Sequence, residues 1–214
     1  CGQGGFGARL ARRARYLGVE PDPTSFTVAR HRIESVGGTV VNTRVEALPA
    51  HSEFDLVCAF EVLEHIEDDA QALAAWRAYL KPGGHLLLST PAWQTRFHHA
   101  DRLVGHYRRY SPTDLTTLLT DTGYADAKVI LYGWPLGYLL EAVRNRLAAT
   151  RGVAQEEGSN PTTMEARTAR SGRLFQPKTV TGAIIHVGVA PFAALQRLRP
   201  NTGTSLVCLA RRDD

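Results

Sequence analysis

Phe54-Asp55-Leu56-Val57-Cys58-Ala59-Phe60 is an apolar run short enough for one strand and apolar on both of its faces. A polar turn, Glu61 to Asp68, follows it. Helical sequence then runs from about Asp69 to Tyr79, and Lys81-Pro82-Gly83-Gly84 stops it. His85-Leu86-Leu87-Leu88-Ser89-Thr90 is a second buried strand. Strand, helix and strand in this order, with both strand faces apolar, predict a parallel sheet covered by helices on two sides.

The same alternation extends in both directions. Upstream, Phe6, Leu10, Ala14 and Leu17 share a helical face, and a short strand ends at Gly18-Val19-Glu20. Pro21-Asp22-Pro23 turns the chain, Thr24 or Ser25 caps a helix ending before Gly37-Gly38, and Thr39 to Thr43 is strand-like. Downstream, Ser111-Pro112 opens a helix that Gly123 closes, and Ala127 to Tyr132 is strand-like. The prediction is an α/β, doubly wound, Rossmann-like and mostly parallel sheet. Ligands of such sheets bind beyond the carboxyl ends of the strands. The glycine loop, Glu20, the stretch from Arg44 to Leu48 and the stretch from Phe60 to His65 all follow strand ends, so they are expected at one edge.

The chain opens on a glycine-rich loop, Cys1-Gly2-Gln3-Gly4-Gly5-Phe6-Gly7, with no strand before it to deliver it to a sheet. A first strand missing from the chain is therefore expected. The core is read as residues 1–133. Residues 134–203 are a helical insertion or lid, and 204–214 hold the last strand and tail. Within the insertion, Trp134 to Ala149 is helical, with Leu136, Leu139, Leu140, Val143 and Leu147 on one side. Arg151 to Lys178 is a polar, basic loop. Val180 to Leu195 is apolar, broken by Gly182, Gly188 and Pro191, and Ser205 to Ala210 is the last strand.

Composition narrows the function. The chain has 214 residues, 43% of them hydrophobic, and a formal charge of +4. That is enough for a sizeable core, while the arginines read chiefly as solvated. Cys1, Cys58 and Cys208 lie far apart without a CxxC pair, which indicates neither a zinc site nor a disulfide framework. A reduced, cytoplasmic setting fits, with a peripheral position at the inner membrane face as an extension of it. No charged-then-apolar leader and no long uninterrupted apolar stretch is present. The arginines form no aromatic-interleaved stripe, so nucleic acid is not an expected partner.

Gly2-x-Gly4-x-x-Gly7 matches the dinucleotide fingerprint, and Glu20 ends the next strand, where an acid can hold ribose hydroxyls. Loop and acid together do not separate NAD from S-adenosylmethionine (SAM). The string Phe54-Asp55-Leu56-Val57, Leu63-Glu64-His65-Ile66, Leu80-Lys81-Pro82-Gly83-Gly84 does. It resembles the signature of class I SAM-dependent methyltransferases, especially the bacterial group similar to ubiquinone-biosynthesis O-methyltransferases. Cys1-Gly2-Gln3-Gly4 is similar to that family's first motif and Gly18-Val19-Glu20-Pro21-Asp22 to its second. The segment from Gly105 to Pro112 resembles the approach to its helix before the sixth strand.

The resemblance implies that Cys1, Gly2, Gln3 and Gly4 border the methionine part of SAM, that Glu20 holds the ribose and that Pro21 lies near the adenine. Val45 and Glu46 would flank the adenine, and Phe60 and Glu61 would close the pocket. Arg44 departs from the family, standing where an Asp often meets the adenine amino group. The family's usual acid before the first glycines falls upstream of Cys1.

A methyl group on a positive sulfur is already activated, so the acceptor needs mainly alignment, and a base only if it arrives protonated. His65 and His106 are the candidate bases. His65 reads first as a structural hydrogen bond fixing its turn, and His106 also as a substrate contact or surface residue. Tyr107 and Tyr110 either line the acceptor site or pack. His98-His99 with Asp101 reads as a solvated loop, and no metal is expected.

The expected reaction is methyl transfer to an oxygen, less readily a nitrogen or carbon, of a small acceptor. The insertion's apolar stretches, with Arg167, Arg170, Arg173 and Lys178 between them, read either as a helical pair packed on the sheet or as a membrane-peripheral surface. The second reading makes the acceptor lipophilic. The alternatives are an NAD-dependent oxidoreductase and a non-catalytic SAM- or nucleotide-binding module. The oligomeric state is not encoded in any pattern here.

Overall fold

The computed structural model describes residues 1–49, 53–155 and 179–213, with side chains described outside 147–155 and 179–187. The described residues divide into two compact units, 1–49 and 53–213.

The first unit begins with the glycine loop and a short helix α1 (Gly7–Ala11), then β1 (Leu17–Val19), α2 (Pro23–Glu34) and β2 (Thr39–Val41). β1 and β2 pair in parallel, with Gly18 opposite Val40. Ala8, Ala29, Ile33 and Val40 form its small buried core. Three expectations change here. Leu17 does not share a helical face with Phe6 and Leu10, because pairing with Thr39 draws it into β1. The second strand stops at Val41 instead of Thr43. The cap of α2 is neither Thr24 nor Ser25: the Asp22 carboxylate accepts the Ser25 N–H, and Pro23 occupies the first turn, where its missing N–H costs nothing.

The second unit contains β3 (Phe54–Phe60), α3 (Asp69–Ala78), β4 (Leu80–Pro91), α4 (His99–Val104), α5 (Pro112–Asp121), β5 (Tyr124–Gly133), α6 (Leu136–Gln155), α7 (Thr179–Gln196) and β6 (Gly203–Arg212). Four strands lie in the order β3-β4-β6-β5. β3 and β4 are parallel, whereas β6 is antiparallel to both neighbours. The sheet is therefore mixed, not mostly parallel. β5 and β6 are adjacent in the sheet and antiparallel, so the segment joining them has no crossover to make.

Leu86 and Leu88 of β4, Leu206 and Cys208 of β6, and Leu73, Leu115 and Leu119 from the helices are fully buried. Ser111 caps α5 in a capping box with Asp114, Pro112 stands in the first turn, and Gly123 (φ +83°) ends it, as the sequence predicts. β3 is less enclosed than expected: it borders the described sheet, and Leu56 is 42% exposed. Lys81 to Gly84 do not stand outside a strand but open β4 with a register shift opposite Phe54 and Leu56.

The insertion also departs from expectation. α6 continues to Gln155, past the predicted end at Ala149, and α7 runs unbroken through Gly182, Gly188 and Pro191. The apolar stripe of α6 faces outward: Leu139, Leu140 and Val143 are 61%, 58% and 49% exposed, while Glu141 is buried. Arg167, Arg170, Arg173 and Lys178 of the predicted basic loop lie outside the described residues. Among the described residues, no helix is long and apolar enough to cross a membrane.

Candidate active site

In the first unit the glycine loop folds back onto the end of β1. The Gly2 N–H donates to Glu20 Oε2 at 2.7 Å, and the Asp22 N–H donates to Glu20 Oε1 at 3.0 Å. The Cys1 amine also donates to Glu20 Oε2 at 3.1 Å, so the carboxylate ties the first loop to the turn after β1 and keeps a lone pair on Oε1. Asn42 fastens the neighbouring strand end by donating to the carbonyls of Glu20 and Pro21 at 2.7 and 3.2 Å. Gly4 has φ +76°, and a Cβ there would stand 2.9 Å from the Ala29 Cα. Only glycine suits that position, both for its backbone and for the close packing on α2. Val45 and Glu46 form the short 3-10 turn after β2.

In the second unit the chain leaves β3 at Glu61, whose φ of +53° is uncommon for a residue with a side chain. Glu61 as a residue is exposed, but its carboxylate turns inward and accepts the Ser89 hydroxyl at 2.8 Å. A 3-10 turn, Leu63–His65, follows. It brings Glu64 and His65 against His106, whose ring lies 4.6 Å from that of His65, edge to face. His106 Nε2 stands 3.9 Å from Glu64 Oε1. The turn is held by the Tyr107 N–H donating to the Glu64 carbonyl at 2.8 Å.

His65 Nδ1 donates to the Gly105 carbonyl at 3.0 Å, since a carbonyl can only accept. Burial, with His106 nearby, lowers the His65 pKa to about 4, so the ring is neutral near pH 7. Glu64 is wholly buried, and neither of its carboxylate oxygens meets a donor in good geometry. Burial first, then the Glu61 carboxylate, pushes its pKa well above the usual carboxylate range.

Asp101 behaves oppositely. It too is wholly buried, but hydrogen bonds from His106, Arg109 and the His98 N–H outweigh the desolvation and hold its carboxyl well below the usual range. Arg109 grips both Asp101 oxygens from Nη2 at 2.9 Å and reaches Glu141 Oε1 from Nη1 at 2.7 Å. Arg96 meets Glu141 Oε2 at 2.6 Å, and Arg144 lies 3.5 Å from Asp101. The inward face of α6 is thus joined to α4 by paired charges.

Glu64, His65 and His106 each offer a ligand-type atom, all within 4.8 Å of one another. The first unit combines left-handed glycines, a close helix contact and a strand-end carboxylate, a fit for an adenosyl group carrying a ribose diol. A methyltransferase-domain family model matches residues 1–129, more than half of the chain. The chain belongs to the class I SAM-dependent methyltransferases. SAM is accordingly its methyl donor, and the oxidoreductase alternative is set aside.

A ubiquinone biosynthesis O-methyltransferase of Cereibacter sphaeroides is 40% identical over 94 residues, 42% of this methyltransferase and 38% of the relative. That of Pseudomonas aeruginosa is 35% identical over 99 residues, 42% of this chain and 41% of the relative. The matched region therefore spans about two-fifths of these relatives. Among solved structures, the N-methyltransferase NodS of Bradyrhizobium japonicum, in complex with S-adenosyl-L-homocysteine, aligns with a TM-score of 0.56 at 16% identity, over 99% of this chain and 74% of that one. The [4+2]-cyclase SpnF aligns equally, with a TM-score of 0.56 at 17% identity, over 100% and 73%. The two likenesses show a shared fold and nothing finer.

The structure brings Cys1, Gly2, Gln3 and Gly4 together with Glu20 and Pro21 in the first unit of the methyltransferase. It brings Glu61, His65, His106 and Tyr107 together in the second, with Phe60 preceding Glu61 at the end of β3. Tyr110 is buried and packs, its hydroxyl donated to Asp69 at 2.7 Å. Asp101 is not in a solvated loop: it lies in α4, with His98 as the cap, and anchors the charge network. Glu64, Asn42, Arg109 and Glu141 went unassigned in the sequence. An acid at position 141 inside the apolar run Leu139-Leu140-Glu141-Ala142-Val143 was the available sign, since an interior charge needs a partner.

Proposed function

We propose that this methyltransferase moves a methyl group from SAM to an oxygen of a small, lipophilic acceptor, with His106 as the base. SAM, when bound, supplies a methyl group on a positive sulfur, ready for in-line displacement. Cys1, Gly2, Gln3 and Gly4 border its methionine part, Glu20 takes the ribose, and Pro21, Val45 and Glu46 flank the adenine; Phe60 and Glu61, at the end of β3, are also assigned to the cofactor. His65, neutral and anchored to Gly105, packs beside the base, and Tyr107 lines the acceptor side. The observation that carries the reading is the imidazole pair at the turn after β3, half-buried His65 against His106, which is buried beside the Glu64 carboxyl. An oxygen acceptor also agrees with the names of the similar curated enzymes.

Residues 134–203 are assigned to the acceptor side. The outward apolar stripe of α6 supports a membrane-peripheral contact and therefore a lipophilic acceptor. Two measurements test the whole. SAM should raise the melting temperature where NAD does not, since only a ligand of the native state stabilises it. Incubation with deuteromethyl-labelled SAM and a bacterial lipid extract should yield a labelled O-methyl product. Tight SAM binding without transfer to any acceptor would instead make this a binding module.

A further inference from the structure

The two nitrogens of His106 face different chemistry. Nδ1 lies 3.1 Å from Asp101 Oδ1. That carboxylate is held by Arg109 through Nε at 3.1 Å and Nη2 at 2.9 Å, and by the His98 N–H at 2.8 Å on Oδ2. Among such partners Asp101 is an acceptor only, so Nδ1 carries a hydrogen, and in the neutral ring that makes Nε2 the basic atom. Nε2 looks toward Glu64 Oε1 at 3.9 Å, on the side where the His65 ring stands. The imidazole is thus oriented by a buried anion behind it, with its basic atom toward the turn after β3.

We propose that Asp101 is a positioning residue for methyl transfer, fixing His106 as the Nδ1–H tautomer so that Nε2 takes the acceptor's hydroxyl proton. The inference rests on the methyl-transfer reading above and deepens it. As the acceptor O–H bond breaks, its proton passes to Nε2 and the oxygen forms a bond to the methyl carbon. The carbon–sulfur electron pair stays with the departing neutral thioether. The imidazolium so formed faces the Asp101 carboxylate and later loses its proton to water. Without Asp101 the ring would exchange between tautomers, and the one protonated at Nε2 has no basic atom on the acceptor side.

Imidazole ¹⁵N spectra of the intact protein at neutral pH test the placement without any acceptor. The His106 signals should be those of one tautomer, protonated at Nδ1. In Asp101→Asn they should move toward the average of both. Methyl transfer from labelled SAM to a simple catechol, used as probe, should fall about 100-fold in kcat, with KM for SAM within about twofold, as for loss of a transition-state contact. Leu119→Ala, which opens a cavity at a fully buried position of α5 outside the charge network, should lower the melting temperature but leave the tautomer and kcat in place. A wild-type His106 protonated at Nε2, or averaging both forms, would overturn the proposal, and this holds even if Asp101→Asn fails to fold. Equal losses of kcat in Asp101→Asn and Leu119→Ala would also overturn it, reducing Asp101 to support of the fold. A wild type with the expected tautomer but no transfer to catechol or lipid extract would instead defeat the methyl-transfer reading.

Discussion

The first unit builds its glycine loop largely from backbone, whereas the second gathers ionisable side chains from a turn, two helices and the loop after α4. Around Glu20 the donors are the amides of Gly2 and Asp22 and the amine of Cys1, and the glycine conformation does most of the shaping. Around His106 the partners are Asp101, Glu64, His65 and, one step away, Arg109 and Glu141. The lesson is energetic. A backbone site fails when its geometry is spoiled, while a buried charged site fails when one partner is removed and another is left unpaired.

The largest effect should come from breaking the charged site. Arg109→Met leaves the buried Asp101 and Glu141 carboxylates without their shared cation, and stability should fall by about 3–5 kcal/mol in urea unfolding. A loss under about 1 kcal/mol would mean that the network is effectively solvated.

His65 sharpens the contrast through pH. Its folded-state pKa of about 4 lies below the ordinary 6.5, so the unfolded chain takes up the proton first as pH falls. Its share of stability is full above pH 6.5, drains as pH drops toward 4 and is constant below. That share is about 2–3 kcal/mol for a mostly buried ring. His65→Gln should flatten the difference in unfolding free energy between pH 7.5 and 4.5, and an unchanged slope would place the proton elsewhere.

The backbone site should break more gently. Gly4→Ala forces a left-handed residue against the Ala29 Cα, at a cost of about 1–3 kcal/mol. Calorimetry should show SAM binding at least about tenfold weaker, whereas Arg109→Met should leave that affinity nearly intact once the protein is folded. The smallest effect on stability belongs to the outward stripe of α6. Leu139→Ser with Leu140→Ser should change it by less than about 0.5 kcal/mol. The same pair should abolish co-sedimentation with anionic vesicles, and unaltered sedimentation would remove the membrane contact.

Legibility in the sequence followed the same division. The loop, Glu20, β3, the start of α5 and its cap are contiguous patterns, and each declares itself within about ten residues. The 3-10 turn carrying Glu64 and His65 was visible as a string, but its partner His106 lies forty-one positions from His65 and meets it only after β4 and α4 have folded. Asp101 looked solvated because a short polar stretch carries no period to show which side chain turns inward. α6 misled in another way. Periodicity locates an apolar stripe without saying whether it faces protein, and here the buried anchors are Glu141 and its arginines. The antiparallel entry of β6 was hidden because strand direction has no local signature.

That entry bears on synthesis. β6 separates β4 from β5 and follows both along the chain, and β5 has no other strand partner among the described residues. On the ribosome, β5 therefore emerges with an unsatisfied ladder that waits for some seventy further residues (134–202) to be translated. Shielding of a nascent chain by chaperones should matter most in that interval.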